Sequence, residues 1–133
     1  MTNAMHPHVQ LVLDYLAAAS RRDFAAAATF FADDLVYRVP GTNPLAGTFH
    51  GKSAALDYFG RVMAASQGSY KVDEIVDWLV SETRVMLIAR ESITVNGRSH
   101  NWTRHILFQI VQGRFADVAL FEDDQSAFDA LWA

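Results

Sequence analysis

The sequence predicts an α+β fold, with helices at the start and a long antiparallel meander after them. Three observations carry this. Apolar residues recur at helical spacing in the first third of the chain. From Tyr70 onward the chain alternates at period two in long runs broken by short turns. Asn96-Gly97, between two such runs, is the strongest hairpin signal present. Helices on one face of a curved sheet satisfy all three.

The elements follow in order. Val9, Val12, Leu13 and Leu16 recur at i, i+3, i+4 and i+7, so Val9 to Ala19 is a helix. Arg21 and Arg22 follow its end, where cations suit the helix dipole. Asp23 then caps an Ala-rich helix, Phe24 to Phe31. Ala32-Asp33-Asp34 reads as a turn. Leu35 to Val39 alternates as a strand and stops at Pro40-Gly41. Gly41 to Gly51 is loop-like, with a short strand at Thr48-Phe49. Ser53 caps a third helix reaching Ala65, with Leu56, Phe59, Val62 and Met63 inward. Gln67-Gly68 ends it. Four strands complete the meander: Tyr70 to Val80, Arg84 to Val95, Arg98 to Val111 and Arg114 to Glu122. The tail from Asp124 reads as a short closing helix.

Period-two counting sorts the side chains between faces. Trp102, Arg104, Ile106, Phe108 and Ile110 share one face of their strand. Val118, Leu120 and Glu122 share one on the next, and Glu91 lies with Ala89 and Ile93. An otherwise apolar surface therefore carries Arg104, Glu91 and Glu122. Buried charge is costly unless paired or used. A cross-strand Glu91–Arg104 pair is the structural reading; Arg104 steadying an anion that forms during reaction is the functional one. The run Val85 to Ala89 is apolar on both faces, and the chain has nothing left to cover the outer one. A twofold homodimer through that face is the expectation.

Composition narrows the function. The 133 residues fit one domain, 1–133. There is no Cys, which excludes disulfides, thiol chemistry and Cys-based zinc. The net charge of −4, with no basic cluster beyond Arg21-Arg22, argues against nucleic acid. No apolar run would span a bilayer, and the first residues lack the pattern of a signal peptide, so a cytoplasmic protein is expected. The five His offer no ligand spacing, so no metal is expected. His6 and His8 fall in a mobile start, His50 near a pocket mouth, and His100 and His105 on opposite faces. No phosphate loop, nucleophile elbow or dinucleotide fingerprint occurs, and no cofactor is expected.

The order of elements and several strings resemble a known group. These are Tyr15-Leu16-Ala17-Ala18, Arg22-Asp23-Phe24, Phe31-Ala32-Asp33-Asp34, Pro40-Gly41 through Gly47, Gly51-Lys52 and Val111-Gln112-Gly113-Arg114-Phe115. The chain resembles the SnoaL-like family of the nuclear transport factor 2-like superfamily, to which ketosteroid isomerases are related. The resemblance covers nearly the whole chain. It implies a cone-shaped, cystatin-like α+β barrel, a sheet wrapped around N-terminal helices with a deep apolar pocket, and usually a homodimer. It implies no one activity, because this fold hosts isomerases, cyclases, dehydratases, hydrolases and non-catalytic binders.

Motif matching within the resemblance is uneven. The ketosteroid-isomerase base falls on Val39, its tyrosine on Tyr15 and its second acid on Ile106, so only the tyrosine is kept. The hydrolase Arg-x-Asp reads Arg104-His105-Ile106, keeping only the Arg. The late carboxylate of polyketide cyclases falls on Glu122. One reading is therefore a cofactor-free acid/base enzyme acting on a small, apolar, oxygen-bearing molecule. Glu122 would be its acid or base, Tyr15 and Arg104 its oxyanion donors, and Glu91 the orienter of Arg104. Phe31, Tyr37, Val39, Phe59, Trp102, Ile106 and Leu120 would line the ligand. The other reading is a binding or assembly module without chemistry.

Overall fold

The computed structural model describes residues 6–133; the reading of the first residues as leader-free concerns positions 1–5, outside those described. Helix α1 (Pro7–Ser20) begins two residues before the expected start. Pro7 presets the first helical φ, and the His6 ring accepts a bond from the His8 amide. His6 and His8 are thus the ordered head of α1, with His8 Nε2 also 2.7 Å from the Glu82 carbonyl. Val9, Val12, Tyr15 and Ala18 form its buried stripe.

Helix α2 (Phe24–Ala28) is capped by Asp23, whose carboxylate accepts from the Ala26 amide. It ends three residues before the expected Phe31. Phe31 is instead fully buried and opens β1 (Phe31–Val39), paired with Phe115. Burying that ring outweighs another helical turn. Ala32-Asp33-Asp34, expected as a turn, lies inside β1, where the register with β6 shifts between Phe31 and Val36.

After β2 (Gly47–His50), helix α3 (Lys52–Ser66) starts from Gly51 with no side-chain cap, so Ser53 does not fill that role. Its buried residues are Ala55, Tyr58 and Ser66. Leu56, Phe59, Val62 and Met63 are only half-buried, so the stripe is rotated by one residue from expectation. Gln67 closes α3 in the left-handed region.

Strands β3 (Lys71–Val80), β4 (Arg84–Val95), β5 (Arg98–Val111) and β6 (Arg114–Glu122) form the expected meander, and α4 (Gln125–Ala130) follows. The sheet order is β2-β1-β6-β5-β4-β3. Two features depart from an all-antiparallel barrel. The β1–β6 pair is parallel, and the sheet stays open, with β2 and β3 as edges. The result is a curved, unclosed sheet wrapped over helices, a cone-shaped α+β fold.

The core lies between α1, α3 and the inner sheet face. A second cluster of Ile93, Val95, Trp102, Phe128 and Leu131 seats α4 against the sheet. No described helix is long and apolar enough to cross a membrane.

Candidate functional site

A cavity of about 530 Å³ opens between the helices and the inner sheet face. Its buried walls include Tyr15 of α1, Tyr37 and Val39 of β1, Tyr58 of α3, and Arg104 and Ile106 of β5. Exposed residues mark the rim: Ser20 and Arg22 on one side, Lys71, Asp73 and Glu74 on the other. Arg22, at φ 62, donates to the Gly68 and Tyr70 carbonyls and ties that rim together.

Phe128 and Trp132 close another wall from α4 and the residues after it. Asp129 holds this closure. Its carboxylate accepts from Asn43 Nδ2 at 2.7 Å, Gln125 Nε2 at 2.9 Å and the Thr42 amide at 3.1 Å. These bonds outweigh its modest burial and hold it below the usual carboxylate range. Gly41, at φ +104, sits where a Cβ would come within 2.3 Å of Gln125 Nε2 and 2.4 Å of Asp129 Oδ1.

Period-two geometry places Arg104 on the inner face, and β4 and β5 pair along their whole length without a register shift. Arg104 Nε donates to Glu122 Oε1 at 2.9 Å, and Nη1 lies 3.3 Å from Glu91 Oε1. All three side chains are sealed from bulk solvent, Arg104 at 6%, Glu91 at 0% and Glu122 at 1% exposure. The guanidinium also lies 5.1 Å from the Trp102 ring centre, 5.5 Å from Phe128 and 5.8 Å from Tyr70. The rings and carboxylates fix it in place.

Burial pushes the Glu91 carboxyl up to about 7, against the pull of Arg104. Burial raises Glu122 as well, and its bond to Arg104 opposes the rise. The Tyr70 hydroxyl beside Glu91 and the Trp102 indole beside Glu122 stop short of hydrogen-bond geometry and only damp these shifts. Burial likewise raises Tyr15, Tyr37, Tyr58 and Tyr70, Tyr58 to about 12. Near neutral pH these hydroxyls are protonated and can donate to an acceptor oxygen.

The structure therefore divides the residues expected at the site. Tyr15, Tyr37, Val39, Phe59, Arg104 and Ile106 line the cavity. Glu91 and Glu122 lie behind Arg104 and do not line it. Phe31, Trp102 and Leu120 are core residues: Phe31 packs on Phe115 and Tyr15, and Trp102 on Phe128 and His100. His50 is exposed and off the cavity. Among the described residues, no group of three His, Asp or Glu could hold a metal ion.

Sequence reasoning missed Tyr58, Tyr70, Asn43 and Asp129. The Ala55–Tyr58–Val62 spacing is a helical stripe that could have revealed Tyr58. Nothing local marks the others.

Comparison with known proteins agrees with this architecture. The model of the SnoaL-like domain family matches residues 12–118. An uncharacterised protein of Mycobacterium tuberculosis is 29% identical over 94% of this chain and 95% of its own length. A Xanthomonas campestris protein of unknown function with a cystatin-like fold superposes with TM-score 0.89 at 25% identity, covering 97% of this chain and 99% of that one. TerC, crystallised with polyporic acid, superposes with TM-score 0.84 at 17% identity, covering 95% and 98%. The chain belongs to the SnoaL-like domain family.

Proposed function

We propose that this SnoaL-like protein holds a small, largely apolar, oxygen-bearing molecule in its cavity. One observation carries the reading. A void of about 530 Å³ is walled mainly by apolar and aromatic side chains, and its buried polar lining comes from tyrosines, Asn43 and Arg104. Such a site suits an apolar body with an acceptor oxygen, fixed by a few convergent donors. That TerC, of the same fold, was co-crystallised with polyporic acid supports a small-molecule ligand for a protein of this shape.

The test is binding of 2-naphthol, a small neutral aromatic, followed by its fluorescence. The expected result is saturable binding that Ile106→Trp, which fills the cavity, weakens by about tenfold or more. Equal binding by the filled variant would put the ligand elsewhere and sink the reading.

A second reading adds cofactor-free acid/base chemistry, such as isomerisation, cyclisation, dehydration or hydrolysis. The observation behind it is the buried Glu91–Arg104–Glu122 cluster, which meets the cavity through the Arg104 guanidinium. In this reading Tyr15 and Arg104 are the oxyanion donors. Glu122, bonded to Arg104, holds that donor in place. Turnover of a co-purified ligand, tracked by mass spectrometry and unchanged in Glu91→Gln, would remove Glu91 from such chemistry.

Two further expectations belong to the same proposal: a homodimer through the outer sheet face, and residence in the cytoplasm. The outer residues Met86, Ile88 and Leu107 are half-buried, and Phe121 is 48% exposed. They form an apolar face suited to a second copy.

A further inference from the structure

An arginine at the base of an apolar pocket is ordinarily an anion receptor, because its planar fork matches carboxylates and phosphates. Here that capacity is already used. Arg104 meets Glu122 at 2.9 Å and Glu91 at 3.3 Å, and both carboxylates approach from behind the cavity wall. We propose that Glu91 and Glu122 set the charge class of the ligand, making the cavity a site for an uncharged carbonyl or hydroxyl compound and closing it to carboxylates, sulfonates and phosphates. The inference rests on the pocket reading above and specifies what that pocket accepts.

The charge count supports it. At 2.9 Å the Glu122 carboxylate is set directly against the Arg104 guanidinium, so as an ion pair these two charges cancel. The cluster is then neutral when Glu91 is protonated and carries one net negative charge when it is not. Neither state draws an anion out of water, and an anion left in an apolar interior without a counter-charge is strongly disfavoured.

The rim offers no positive funnel either. Lys71 lies 3.6 Å from Asp73, Glu74 stands beside them, and Arg22 is turned to two backbone carbonyls. The whole chain carries a net charge of −4, which opposes capture of anions at longer range. What the cavity does present is tyrosine hydroxyls, and the unpaired part of the guanidinium, which donate well to a neutral oxygen.

Two probes of matched skeleton test this: 2-naphthol and 2-naphthoate, titrated near neutral pH into the full chain. The expected result is 2-naphthol binding about tenfold or more tighter than 2-naphthoate. Glu122→Gln frees one charge of Arg104 and should raise 2-naphthoate affinity about tenfold relative to that for 2-naphthol. If Glu122→Gln fails to fold, as judged by circular dichroism, the comparison of the two probes on the wild-type protein carries the test.

Wild-type protein binding 2-naphthoate equally or more tightly would overturn the inference and leave the pocket reading standing. A folded variant that leaves the preference unmoved would overturn it in the same way. Failure of both probes to bind would remove the pocket reading, and this inference with it.

Discussion

Replacing Arg104 with Met would leave two buried carboxylates without their counter-ion. Loss of one partner from a buried pair typically costs about 3–5 kcal/mol. Arg104→Met should therefore lower stability by that order in urea unfolding, while Arg38→Met, whose pair with Asp117 is half exposed, should change it far less.

Glu91 adds a pH signature. Its folded value, about 7, lies above the ordinary 4.5, so the folded protein binds the extra proton. The unfolded chain ionises first as pH rises, which favours unfolding. Stability should decline between pH 4.5 and about 7 by roughly 3 kcal/mol from this group, and Glu91→Gln should flatten the decline in melts taken across that range.

The inward parity of these charges was legible because β4 and β5 pair without a bulge, so counting by two never slips. The cross-strand Glu91–Arg104 pair was legible for the same reason, and the two side chains do meet. That both carboxylates sit behind Arg104 and off the cavity was not legible, because it depends on sheet curvature and side-chain rotamers, which alternation does not encode.

At the scale of elements, α4 and the loop before β2 act as one closure, joined through Asp129. Asp129→Ala should detach the two, raising hydrogen exchange at the Ala127–Trp132 amides more than in the β4–β5 ladder. Gly41→Ala should destabilise the protein by about 1–3 kcal/mol in thermal or urea unfolding. It places a Cβ in contact with Gln125 and Asp129 and forces a strained φ.

The strands from Arg84 to Glu122 were legible to the residue because turns and alternation agree there. The short elements were not. The end of α2 was decided by Phe31 entering the core, and the start of α3 by Gly51 rather than by the more polar Ser53. The Asp129 closure joins residues 86 or 87 positions apart, and no local pattern announces it.

For the whole molecule, the open sheet leaves its convex face half-covered. If that face pairs two copies, Phe121→Asp with Leu107→Asp should convert a dimer to a monomer in sedimentation while leaving the cavity intact. The general architecture could be read from the order of helices and meander. The parallel contact of β1 with β6 could not, since neither strand's composition names its neighbour.

That contact has a consequence for how the protein is made. Val36, Tyr37 and Arg38 find their partners at Asp117, Val118 and Ala119. A nascent chain must carry its first strand, flanked only by the short β2, until the segment through Glu122 has left the ribosome. So distant a closure is slow. During synthesis the edge that β6 will occupy lies bare beside the exposed rings of the future cavity, and the half-made protein is then at its most vulnerable to clumping.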